Sequence, residues 1–133
     1  MSRDENDESA EHKRLVKALI QELKSQGFEI VNAASEGYQP CTEVENHFPD
    51  VKSYNRQKEF VVFGLAKTCR ELEEKRTEEE FKFFSHRFMP RGKSAGTAVP
   101  FCIAITKGCE KQLDACLTKL KLEGKKNIFK YAF

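Results

Sequence analysis

The sequence predicts a single α/β domain, a mixed sheet flanked by helices in the order α-β-β-β-α-β-α-β. Three observations carry this reading. Two nearly continuous apolar runs, Glu59–Ala66 and Val99–Thr106, are rich in β formers and suit strands covered on both faces. Three other segments repeat their apolar residues at helical spacing. A short polar turn at 55–58 joins the second and third strands, whereas a helix separates the third from the fourth. A hairpin beside a helical crossover needs both antiparallel and parallel neighbours in one sheet.

The first helix is read from Leu15, Val16, Leu19, Ile20 and Leu23, with Gly27 just past its end. Phe28–Val31 follows as a strand. The stretch 33–46 holds Gly37, Pro40 and the acids Glu36, Glu43 and Glu45, and is expected to be a loop that contains at most a short strand. His47–Val51 opens an extended segment, because Pro49 biases its predecessor away from helix. The second helix is expected from Thr77, as N-cap, with Glu80 at the capping-box position and Phe81, Phe84 and Phe88 on one buried face. Residues 90–98 read as a flexible loop. The third helix, 109–122, turns Leu113, Cys116, Leu117 and Leu120 inward, and Gly124 ends it. Residues 127–133 complete the sheet as a short edge strand.

With 133 residues, 39% apolar and 33% charged, the chain has the composition of one globular domain. Residues 12–133 form that domain, and 1–11 are expected to be a disordered acidic tail. The tail carries five acids and one base, a net charge of −4 that leaves +6 for the rest of the chain. That excess is a mild attraction for phosphate at most. No apolar run approaches the roughly 20 residues that span a bilayer. The polar start does not resemble a secretory signal, so a cytoplasmic location is expected. Five cysteines, an odd number with apolar neighbours, are expected to be unpaired thiols. No C-x-x-C pair and no His pair at ligand spacing points to zinc. Gly92-Lys93-Ser94 is not a phosphate loop, because Arg87 stands where the motif needs glycine and a strand follows instead of a helix.

The chemistry-bearing residues are Pro49-Asp50 at the start of one strand and Lys67 at the end of the next. Phosphodiester hydrolysis uses a metal to polarise phosphate and activate water. Hard cations such as Mg²⁺ take carboxylate oxygens, and a nearby lysine offsets developing negative charge.

The order of elements, with Pro-Asp on a hairpin and Val62–Thr68 as the core segment, resembles the PD-(D/E)XK (restriction-endonuclease-like) nuclease superfamily. Leu72, Arg76-Thr77 and Phe81–Phe84 also resemble its small bacterial members. The resemblance covers about residues 12–122. It implies metal-dependent hydrolysis of DNA or RNA, with Mg²⁺ or Mn²⁺ as cofactor and a homodimer as one assembly. The superfamily expects Asp or Glu two residues before the lysine, where this chain has Leu65. Two readings follow. In one, the acid has migrated to Glu80, so that Asp50, Lys67 and Glu80 are the catalytic set and Asp50 with Glu80 hold the metal. In the other, Glu80 only caps its helix and the domain is a catalytically inactive relative that binds nucleic acid or a protein partner. Glu36 or Glu43 are candidates for a further carboxylate. His12 stands where some members carry a polar active-site residue, and otherwise reads as a surface residue.

Overall fold

The computed structural model describes the backbone of residues 3–133 and the side chains of residues 10–133. Helix α1 spans Arg3–Ser25, and the strands are β1 (Glu29–Ala33), β2 (Val51–Asn55), β3 (Phe60–Lys67), β4 (Phe101–Ile105) and β5 (Ile128–Ala132). Helix α2 (Lys75–Ser85) lies between β3 and β4, helix α3 (Glu110–Lys119) lies between β4 and β5, and a 3-10 turn covers Glu71–Glu73. The five strands form one sheet in the order β1-β2-β3-β4-β5. β1, β2 and β3 pair antiparallel, and β3, β4 and β5 pair parallel. This is the α/β class, element order and mixed sheet expected from the sequence.

The sheet has a core on each face. On one, Leu15, Leu19 and Leu23 of α1 pack against Val51, Val62, Ala66 and Ala104. On the other, Phe81 and Phe84 of α2 and Leu113 and Leu117 of α3 pack against Leu65, Phe101, Ile103 and Ile105. Burial on both faces is why β3 and β4 are apolar along their length rather than alternating. α1 lies close to β3 because residue 64 is glycine. A Cβ there would stand 2.7 Å from Leu19 Cδ2, inside van der Waals contact.

Several expectations are corrected. α2 begins at Lys75 with Glu74 as its N-cap, so Thr77 is not the cap and Glu80 is not in a capping box. Phe88 lies beyond the end of α2 and is 61% exposed, so only Phe81 and Phe84 form the buried face. After Ala33, which ends β1, residues 34–46 form the expected loop; Val44 bridges to His47, and no strand lies in that loop among the described residues. Cys69 and Cys109 are disulfide-bonded, with Cα atoms 5.3 Å apart, while Cys41, Cys102 and Cys116 are free and buried. The pair is 40 residues apart in sequence and meets because Cys109 precedes α3, which packs beside the 3-10 turn that Cys69 precedes. The expected tail falls partly on Met1 and Ser2, outside the described residues, and partly on the first turns of α1. Within it, Glu11 accepts hydrogen bonds from Arg14 and Thr106.

Candidate active site

In an antiparallel pair the start of one strand lies beside the end of its neighbour. Asp50, immediately before β2, therefore stands beside the last residues of β3. Its N–H donates to Gly64 O at 2.9 Å, and its Oδ2 accepts from the Ala66 N–H at 2.8 Å. Asp50 is thus an extension of the β2–β3 ladder, with its carboxylate turned back over the strand end.

Lys67 closes β3 and is only 3% exposed. A buried ammonium needs a partner, because desolvation without one costs several kcal/mol. Its partner is Glu80 of α2, whose Oε1 lies 2.5 Å from Nζ. The expected trio of Asp50, Lys67 and Glu80 lines one cleft of about 640 Å³, together with Leu65, His12 and Glu71.

His12, which also reads as a surface residue in the sequence, is instead part of this cleft. Its Nε2 lies 3.1 Å from Asp50 Oδ1 and its Nδ1 lies 3.1 Å from Glu71 Oε1. Carboxylate oxygens only accept, so both ring nitrogens donate and the ring is an imidazolium. Burial alone would lower its pKa, but hydrogen bonds and charge from Asp50 and Glu71 outweigh burial and raise it from 6.5 to about 10. For Glu71, burial pushes upward, but the bonds from His12 and the Thr68 N–H prevail and its pKa is lowered.

Glu71 is the residue that the sequence reading missed. Its signal is the pattern Thr68-x-x-Glu71, the same capping-box signature assigned instead to Thr77 and Glu80. Here it is realised: the Thr68 N–H donates to Glu71 Oε1 at 2.9 Å, and the Glu71 N–H donates to Thr68 Oγ1 at 3.2 Å. Glu36 and Glu43 are exposed and do not line the cleft.

The donor set offers a hard cation carboxylate oxygens from Asp50 and Glu80, which suits Mg²⁺ or Mn²⁺. Both carboxylates are already held by a cation of the chain, His12 for Asp50 and Lys67 for Glu80. Leu65 lines the same cleft and has no donor to offer. Among the described residues, no group of three or more His, Cys, Asp or Glu side chains is placed to hold a metal, and no helix is long and apolar enough to cross a membrane. No family model, no curated protein and no solved structure matches this chain.

Proposed function

We propose that the chain is a nuclease-like domain of the PD-(D/E)XK kind that hydrolyses phosphodiesters of DNA or RNA with Mg²⁺ or Mn²⁺. The observation that supports it is the convergence of Asp50, Lys67 and Glu80, from three separate elements, in one cleft at the end of β3. A bound cation would polarise the phosphate and activate a water. Asp50 and Glu80 would hold it, and the Lys67 ammonium would offset negative charge on the phosphate. His12 is a positioning residue in this reading, fixing the Asp50 carboxylate against the strand end.

A second reading is favoured by one residue. Leu65 puts a hydrocarbon where a ligand is expected, which suits a non-catalytic relative that binds nucleic acid or a protein. The two readings separate in a cleavage assay on labelled DNA and RNA with Mg²⁺ or Mn²⁺. The first predicts metal-dependent cleavage that Asp50→Ala and Glu80→Ala abolish. Activity of Glu80→Ala equal to wild type would remove the migrated acid. Absence of cleavage, with NMR signals around Asp50 unmoved by metal, would leave the second reading. Leu65→Glu is then the converse experiment: gained metal binding would indicate that the cleft geometry survives.

A further inference from the structure

The sheet is unevenly covered. α1 lies over one face, while α2 and α3 cover the other only around β3–β5. Along β2, Val51 and Ser53 are buried on the α1 side, so by strand alternation Lys52 and Tyr54 project from the opposite face. Register sets Lys52 beside Phe63 and Tyr54 beside Val61. These residues, with Val31, Arg87 and Phe88, line a groove of about 440 Å³. Phe88 is 61% exposed although its backbone is anchored, since it bridges to Ala98 and the Val99 N–H donates to Arg87 O at 2.9 Å.

The charged side chains lining this groove, among the described residues, are Lys52 and Arg87, both cationic. The Arg87 guanidinium sits 5.0 Å from the centre of the Phe83 ring and pairs with Glu45. His47 also stacks on Phe83, with centroids 4.2 Å apart. His47 and the 58% exposed Phe48 line the cleft that holds Asp50 and Lys67. A row of rings and cations thus joins the groove to the cleft.

We propose that this groove binds single-stranded nucleic acid, with bases stacked on Phe88 and Tyr54, phosphates against Lys52 and Arg87, and the strand leading past Phe83 and His47 to the cleft. Exposed rings beside cations match unpaired bases on a phosphate backbone, whereas a duplex hides its base faces. A phosphate at Arg87 shares or displaces Glu45. A second copy of the chain fits less well, because a two-fold interface sets the same patch against itself and would oppose Lys52 and Arg87 with their own copies. The inference names the substrate form of the proposed nuclease and rests on that reading, but it is measured by binding alone.

The probe is a fluorescein-labelled single strand of about ten nucleotides, as DNA and as RNA, titrated by anisotropy in chelator. Saturable, salt-dependent binding is expected for at least one of the two. Phe88→Ala should weaken it about tenfold, and Lys52→Ala should lower the slope of log affinity against log salt by about 0.7. Unchanged unfolding midpoints would show that both variants are folded. The proposal is overturned if the wild type does not bind, if both variants bind like wild type, or if unlabelled duplex competes as well as single strand. It is overturned equally if sedimentation shows a dimer that Phe88→Ala dissolves without changing affinity. Binding in chelator without cleavage in metal would end the nuclease reading and leave this one standing.

Discussion

Two segments of this chain carry the same four-residue pattern, threonine followed three positions later by glutamate, and they fold differently. In Thr68–Glu71 the two residues bond each other reciprocally, as the pattern predicts. In Thr77–Glu80 they do not. Thr77 lies fully buried inside α2 and donates its hydroxyl to the Glu71 carbonyl, while Glu80 turns to the Lys67 ammonium. The difference lies in where each turn starts. α2 begins at Lys75 with Glu74 as its N-cap, so Thr77 and Glu80 lie inside the helix and have no cap to make. The Glu80 carboxylate is left for the buried Lys67 ammonium. The two roles also differ in size: a helix cap contributes about 1 kcal/mol, whereas leaving a buried charge unpaired costs about 3–5 kcal/mol. Glu71 both caps and pairs, because one carboxylate oxygen accepts from the Thr68 N–H and from the imidazolium.

The largest effect should come from breaking the ion pair. Glu80→Ala leaves Lys67 buried without its carboxylate and should cost about 3–5 kcal/mol in urea unfolding. A loss below about 1 kcal/mol would mean that the buried Lys67 charge does not depend on this pair. Glu71→Ala should cost less, about 1–3 kcal/mol, since the Thr68 N–H loses its acceptor while His12 keeps Asp50. If the two substitutions rank the other way, the buried ion pair is not the larger of the two roles.

The smallest effect is read by pH. The folded pKa of His12, about 10, lies above its ordinary value of 6.5. Its contribution to stability is therefore fully present below pH 6.5 and is lost as pH rises towards 10. From pH 7 to pH 8 the wild type should lose about 1 kcal/mol that His12→Gln does not lose. Parallel pH curves for the two proteins would show that the imidazolium does not bind Asp50 and Glu71 as described.

Much of the fold is legible in the sequence because its signals are periodic. Leu15, Val16, Leu19, Ile20 and Leu23 mark the buried face of α1, and all five are at most 2% exposed. The apolar runs of β3 and β4 announce strands covered twice, and the polar turn announces the hairpin. Where two elements compete for the same residues the reading fails. Phe88 continues the spacing of Phe81 and Phe84, yet the chain leaves the helix after Ser85 and pairs Phe88 with Ala98. Cys69 and Cys109 look like isolated thiols until α3 packs beside the 3-10 turn.

The candidate site divides along the same line. Asp50 and Lys67 are named from the sequence because strand order brings the start of β2 to the end of β3, and Glu80 is named only through the family resemblance, which allows the missing acid to stand on the following helix. Hairpin pairing is a local consequence of turn length, so it survives without knowledge of the rest of the molecule. The partners of those residues do not. His12 lies 38 residues from Asp50 and 59 from Glu71, and nothing in its neighbours says that α1 will cross the sheet at that point. Sequence alone determined the order of elements, the mixed sheet and the placing of Asp50 and Lys67 at neighbouring strand ends. Tertiary structure decided which cation each carboxylate holds, because a charge buried by packing takes the strongest partner within reach, and reach is set by how the helices lie on the sheet.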